Sequence, residues 1–167
     1  MALKIIRTLP DPVLRQKARR ITTIDDKLQL LIDDMIDTMR HANGVGLAAN
    51  QVGILQRVVV IEIPEEEDVR VLINPEIIRR EGERIIDEGC LSIPGYRGEL
   101  TRSVQVRARA LDRNGKPIRI RAEGLLAQAI EHEIGHINGM LYIDHLENAT
   151  KLWKINPETQ TSETDGN

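Results

Sequence analysis

Two histidines and a glutamate in the last third of the chain carry the strongest chemical signal in the sequence. The run His132-Glu133-Ile134-Gly135-His136 places two imidazoles four residues apart, and a helix brings such residues one above the other on one face. Two imidazoles in this arrangement can bind one metal ion. Glu133 lies beside that face, so we expect it to serve as a general base toward a metal-bound water.

A catalytic metal site needs a third protein ligand. The pattern of a metzincin protease requires a third histidine where this chain has Tyr142, and Glu147 and Glu158 lack a helical context. Cys90, the only cysteine, is the remaining candidate, although a lone cysteine is more often a small buried hydrophobic residue. A helix whose histidines bond to core carbonyl groups is the structural alternative.

Two helices are predicted to frame this chemistry. Apolar residues recur at helical spacing from about 24 to 41, and Thr23 is a plausible N-cap. A second helix is predicted over 124–138. On a helical wheel His132 and His136 share an arc with small and apolar residues, and a more apolar arc lies next to it. The two imidazoles should therefore point into the protein.

Several β-branched or alternating segments predict strands. Two of them, at 57–63 and 69–73, are rich in valine and isoleucine and end at prolines. Apolar residues alternate with polar ones over 104–109 and again over 118–121, and Asn114-Gly115 between them is typical of a hairpin turn. In that hairpin the apolar side chains, Val104 included, should face the core and the arginines should face solvent.

Length and composition limit the classes of protein. With 167 residues and 18.9 kDa, we expect one catalytic domain over 1–150 and a polar C-terminal tail over 151–167 that is disordered. A net charge of -3 and 2% aromatic residues argue against DNA binding and against stacking of single strands. One cysteine excludes a disulfide scaffold, and no targeting or membrane-spanning segment is seen, so a cytoplasmic location is expected.

Three motifs in this order resemble those of the peptide deformylase family. They are Gly-apolar-Gly-apolar-Ala-Ala-x-Gln at Gly44–Gln51, Glu-Gly-Cys-apolar-Ser at Glu88–Ser92, and the histidine motif at His132–His136. The likeness extends to about Leu146. It implies an α+β fold, with small antiparallel or mixed β-sheets packed around the central helix that bears the histidine motif.

The resemblance implies a hydrolase that removes the formyl group from the formyl-methionine of newly synthesised polypeptides. It assigns Cys90, His132 and His136 as ligands of one divalent metal ion. Ferrous iron is the expected ion, and zinc, nickel or cobalt could substitute for it. Glu133 is the implied general base. Nascent formyl-methionyl peptides are the expected partners, together with the ribosome near its exit tunnel, and neither DNA nor a membrane is expected.

The same resemblance assigns residues that hold the peptide. The side chain of Gln51 and the backbone N–H of Leu91 would donate hydrogen bonds to the developing oxyanion. Backbone groups at Val45 and Gly89 would pair with the peptide, and Gly46 would permit its close approach.

The methionine side chain of the substrate also needs an apolar pocket near the metal site. Ile86 is a candidate by the resemblance, and Leu125 lies on the same helical arc as the two histidines. These two residues are the predicted lining of that pocket.

Two departures from the family pattern keep other functions open. The family usually has Asp before the second histidine and commonly Gln before the first, where this chain has Gly135 and Glu131. Both positions lie on the polar strip of the helix, so we expect these differences to change contacts that surround the ligands and not the ligands themselves. The alternatives are a zinc endopeptidase that uses the same helix and a non-catalytic protein with the deformylase fold.

Overall fold

The computed structural model of the chain describes residues 2–155, which form two α-helices and eight strands. The helices are α1 (Asp26–His41) and α2 (Gly124–Ile137). The strands are β1 (Gly46–Ala48), β2 (Val58–Ile61), β3 (Arg70–Glu81), β4 (Arg84–Cys90), β5 (Ile93–Arg102), β6 (Gln105–Leu111), β7 (Pro117–Glu123) and β8 (Leu152–Lys154). Single 3-10 turns lie at Pro12–Arg15, Ala49–Val52, Tyr142–His145 and Ala149–Lys151.

The strands form two separate antiparallel sheets. The larger sheet has the order β1-β2-β3-β6-β7, and the smaller has the order β4-β5-β8. Helix α2 packs on one face of the larger sheet through residues such as Ile130 and Ile134. Helix α1 covers part of the opposite face through Met35 and Met39. The predicted α+β fold with antiparallel sheets around the motif helix is confirmed.

The ends of both helices are set by local chemistry. Helix α1 begins at Asp26 because the Asp25 carboxylate accepts a hydrogen bond from the N–H of Leu28, 2.9 Å away. The predicted cap at Thr23 is therefore wrong by two residues. Helix α2 ends before Gly139, whose φ of +77° favours glycine. Within residues 2–155 neither helix is long and apolar enough to cross a membrane.

The predicted hairpin is present as β6 and β7. Ala108 lies opposite Ile120, and both are buried against α2. The arginines that alternate with these residues are exposed, as expected. Val104 differs from the prediction because it precedes β6 and packs over Gly82, which leaves it 45% exposed.

The folded part of the chain extends beyond the predicted domain boundary at residue 150. A polar tail was expected from residue 151, but β8 pairs with β5, with Leu152 opposite Gly98 and Lys154 opposite Tyr96. Backbone pairing to β5 and the partial burial of Leu152 order this short segment, whose Leu152 and Trp153 set it apart from the polar residues that follow. The rest of the predicted tail, 156–167, lies outside the described residues.

Candidate active site

The three predicted metal ligands lie together where the end of β4 meets α2. The Nε2 atom of His136 is 3.2 Å from the Sγ of Cys90 and 3.0 Å from the Nε2 of His132. All three ligand atoms lie within 4.8 Å of one another. The backbone N–H of Ser92 donates to the sulfur at 3.4 Å. The arrangement offers one sulfur and two nitrogen donors to a single ion.

The buried ion pair of Glu88 and Arg102 contacts His132 through its Nδ1 atom. The guanidinium of Arg102 contacts both carboxylate oxygens of Glu88, at 3.0 and 2.6 Å. The Nδ1 of His132 is 2.5 Å from the same carboxylate. Burial would raise the pKa of Glu88, but the hydrogen bonds from His132 and Arg102 outweigh it and lower that pKa to about 2.

This pair determines which nitrogen of His132 is available. A carboxylate that stays ionised can only accept hydrogen bonds, so Nδ1 of His132 carries a proton and Nε2 is the nitrogen that can bind a metal ion. Nε2 is the atom that faces His136. The sequence analysis did not assign a role to Glu88 or Arg102. The available signal was Glu88 itself, the first residue of the Glu-Gly-Cys motif.

The carboxyl group of Glu133 is buried against β1. A Cβ on Gly46 would collide with its Oε2 and lie 3.0 Å from its Cγ, so only glycine fits here without displacing Glu133. Its Oε1 is buried and has no hydrogen-bond partner among the described residues. Burial raises the pKa of Glu133 to about 7, although the nearby His132 acts in the opposite direction. A carboxyl group with this pKa can take up and return a proton near neutral pH.

Gln51 is held with its amide N–H₂ toward Cys90. Its Oε1 accepts a hydrogen bond from the N–H of Ala48 at 3.0 Å, and its Nε2 donates to the Oγ of Ser92 at 3.1 Å. The same Nε2 lies 3.6 Å from the cysteine sulfur. Gln51 therefore bonds to nearby backbone and also presents its amide donor to the site. The backbone of Leu91 follows Cys90 directly in the chain.

The residues expected to bind the peptide lie on two sheet edges. Gly46 begins β1, an outer strand of the larger sheet, and Val45 directly precedes it. Gly89 is in β4, an outer strand of the smaller sheet. Ile86 packs in the small apolar cluster under β4 and β5, whereas Leu125 is 42% exposed on the first turn of α2. The structure thus presents two free strand edges, and it does not bring Ile86 and Leu125 into one apolar cluster.

The two departures from the family pattern have different surroundings. Glu131 connects α2 to its neighbours, because its Oε1 accepts from the N–H of Ser103 at 2.7 Å and its Oε2 contacts Arg80 at 3.3 Å. Gly135 has room for a side chain, since a Cβ there would be 3.8 Å from Met140. Neither residue touches the three predicted ligand atoms.

The sequence model of the polypeptide deformylase family matches residues 3–152 of this chain. The chain belongs to the polypeptide deformylase family.

Deformylases from several bacteria are similar to it over nearly their whole length. The enzyme of Dehalococcoides mccartyi is 54% identical over 163 residues, which is 98% of each protein. The crystal structure of the Legionella pneumophila deformylase has a TM-score of 0.84 and 42% identity, covering 98% of this chain and 92% of that one. The Synechococcus elongatus deformylase, solved in complex with actinonin, also has a TM-score of 0.84, with 46% identity over 87% of this chain and 80% of that one.

The chain is therefore a metal-dependent deformylase that removes the N-formyl group from newly synthesised polypeptides. The predicted family, activity and substrate class are confirmed. The alternatives of a zinc endopeptidase and of a non-catalytic relative are not supported. A metal requirement also agrees with the cluster of one thiol and two imidazoles at the end of β4.

Proposed function

We propose that Cys90, His132 and His136 hold the metal ion of this deformylase. The observation that carries this proposal is the convergence of their three ligand atoms within 4.8 Å. The buried carboxylate of Glu88 engages Nδ1 of His132, which leaves Nε2 as its ligand atom, and Nε2 of His136 lies 3.0 Å from it. One sulfur and two imidazole nitrogens that converge on one point are ligands of the kind that a transition-metal ion prefers, so the donor set fits a bound ion. When bound, the ion would supply Lewis-acid activation of water and of the formyl carbonyl group.

Glu133 is the proton carrier in this proposal. Its buried carboxylate would accept a proton from the water as the oxygen adds to the formyl carbon. It would then deliver that proton to the amine nitrogen as the C–N bond breaks, which releases formate and the peptide amine. A pKa of about 7 suits both transfers, because neither form of the group is strongly favoured at neutral pH.

Gln51 and Leu91 stabilise the negative charge that develops on the formyl oxygen. The Nε2 of Gln51 points toward the sulfur of Cys90 and is held in that orientation by Ala48 and Ser92. A donor fixed in advance costs no reorganisation when the charge develops, so it favours the transition state over the ground state. The backbone N–H of Leu91 is the second donor.

The peptide is proposed to lie between the edges of β1 and β4. Both are outer strands, and an extended peptide can pair with a free strand edge. Val45 and Gly46 would contribute from β1 and Gly89 from β4. Ile86 and Leu125 would contact the methionine side chain of the substrate.

Ferrous iron is the proposed native ion, with zinc, nickel or cobalt as functional substitutes. One thiolate and two imidazoles suit all of these ions, so the donor set alone does not select one. The proposed location is the cytoplasm. There the enzyme would meet formyl-methionyl chains as they leave the ribosome, and docking near the exit tunnel would bring it to its substrate.

The test combines metal analysis with turnover of a short formyl-methionyl peptide. Cys90→Ala, His132→Ala and His136→Ala, each purified without oxygen, should lose the metal and at least about 1,000-fold of kcat/KM. His145→Ala removes an exposed histidine outside the cluster and is the control. Full metal occupancy in Cys90→Ala would overturn the ligand assignment. The metal found in the parent protein, isolated from its own cells, identifies the native ion.

A further inference from the structure

The larger sheet carries a lattice of arginines on the part of its face that α1 leaves uncovered. Arg107 of β6 lies directly opposite Arg121 of β7 on one side and Arg79 of β3 on the other. Arg109 of β6 lies directly opposite Arg119 of β7. All five side chains are exposed. We call these five residues the arginine face.

Most of this charge is not neutralised by the protein. Within residues 2–155, Arg107, Arg119 and Arg121 have no ion-pair or hydrogen-bond partner for their side chains. Arg79 and Arg109 each contact a single glutamate. Like charges directly opposite one another on two strands destabilise a sheet. Three adjacent arginine pairs in that arrangement indicate a surface suited to a ligand with many negative charges.

The chemistry of the face favours a phosphate backbone. All five positions carry arginine and none carries lysine, and the planar guanidinium binds phosphate oxygens through two hydrogen bonds. The other outward side chains of the three strands here are Glu76, Glu81, Gln105 and Glu123, and Ile78, at the bulge of β3 beside Arg79, is 48% exposed. One isoleucine among charged side chains does not form the broad apolar face that enters a lipid layer. The face also has no aromatic ring on which an unpaired base could stack.

We propose that the arginine face binds the phosphate backbone of double-helical RNA. This inference rests on the proposed function, because chains that still carry the formyl group emerge from an assembly rich in structured RNA. The net charge of -3 does not oppose it, because binding depends on the local field. Five arginines outnumber the three glutamates Glu76, Glu81 and Glu123 on this face, and the unpaired Arg107, Arg119 and Arg121 lie next to one another.

The position of the face is compatible with catalysis. The residues that alternate with the arginines, such as Val106 and Ala122, are buried against α2 on the other side of the sheet. Helix α2 carries His132 and His136. RNA bound to the arginine face would therefore leave the α2 side of the sheet open to a nascent chain.

The test measures binding of the full chain to a short labelled RNA duplex by fluorescence anisotropy over a range of salt concentrations. The triple variant Arg107→Gln, Arg119→Gln, Arg121→Gln removes the three unpaired charges and keeps their aliphatic stems. We expect at least about tenfold weaker binding at low salt, and a slope of log affinity against log salt that is smaller by about two to three.

A control variant carries the same change in net charge at residues outside the arginine face. The triple variant Arg19→Gln, Arg20→Gln, Lys27→Gln removes three exposed positive charges before and at the start of α1. It should keep most of the affinity and the salt slope. An equal loss in the control would overturn the assignment to the arginine face. So would binding of the parent to anionic vesicles without binding to RNA.

Turnover of a short formyl-methionyl peptide separates this inference from the proposed function. The arginine variant should match the parent, since none of its substitutions touches the site. A parent that turns over the peptide but does not bind the RNA duplex would overturn the inference alone. A parent that binds RNA without turning over the peptide would overturn the proposed function and leave the RNA surface standing.

Discussion

Two groups of charged residues in this protein stand in opposite environments. At the active site, Glu88 and Arg102 are buried, contact each other through two hydrogen bonds, and leave a further carboxylate lone pair for His132. On the outer face of the larger sheet, Arg107, Arg119 and Arg121 are exposed, face other arginines, and have no partner among the described residues. A buried charge must be paired within the fold, whereas an exposed charge is compensated by water and salt.

The difference in burial determines what the removal of a charge changes in each group. Removing one member of the buried pair leaves the other without solvent, so the cost falls on folding and on the site. Removing an arginine from the exposed face relieves repulsion and changes only what the surface attracts. Changes at Glu88, Gly46, Gly135 and the arginine face should have successively smaller effects, and the first and last of them test this contrast directly.

Glu88→Ala should destabilise the protein by about 3–5 kcal/mol, because it leaves Arg102 buried without its partner and His132 without an acceptor. Urea unfolding measures the loss. Glu123→Ala, which removes an exposed carboxylate at the end of β7, is the control and should change stability by less than about 0.5 kcal/mol. Glu88→Leu combined with Arg102→Met should cost less than the sum of the two single changes. Additive costs would show that the pair is not coupled.

Gly46→Ala should lower kcat/KM by about 100-fold or more while the protein still folds. A methyl group at this position collides with the carboxylate of Glu133 and must displace it, and a shift of about 1 Å in a catalytic group costs about this much. Steady-state kinetics and metal analysis on one sample measure the effect. Unchanged kinetics would mean that Glu133 can move without loss, which would weaken its assignment as proton carrier.

Gly135→Ala is the same substitution as Gly46→Ala, made one residue before the predicted ligand His136. A Cβ has space there, and glycine in a helix interior costs up to about 1 kcal/mol relative to alanine. We expect a gain in stability of that size with unchanged metal content and turnover. A drop in activity would show that this position affects His136 through the backbone of α2.

Neutralising the arginine face should have the smallest effect on the fold. The triple change to glutamine at positions 107, 119 and 121 removes repulsion between facing strands, so stability should stay within about 0.5 kcal/mol of the parent or rise slightly. Thermal unfolding at low and high salt measures this. A large loss of stability would mean that these arginines are structural, which would remove the contrast with Glu88.

Local patterns in the sequence were sufficient for the elements that contain the chemistry. Helical periodicity predicted α2 to within one residue. The same periodicity predicted that both histidines point into the protein. Alternation and Asn114-Gly115 predicted the β6–β7 hairpin with its arginines outward. These features depend on residues only a few positions apart, so the sequence alone is enough to predict them.

Tertiary structure decided what depends on pairing between distant segments. Glu88 meets Arg102 only because β4 and β5 fold back on each other, and the pair meets His132 only because α2 packs beside them. The register of β6 with its two neighbours is what sets arginine against arginine. Leu152 pairs with Gly98 of β5 although the sequence analysis assigned it to a disordered tail. Each of these outcomes is a contact between segments that are distant in the chain. No local sequence pattern specifies which distant segments meet, so only the packed fold determines these contacts.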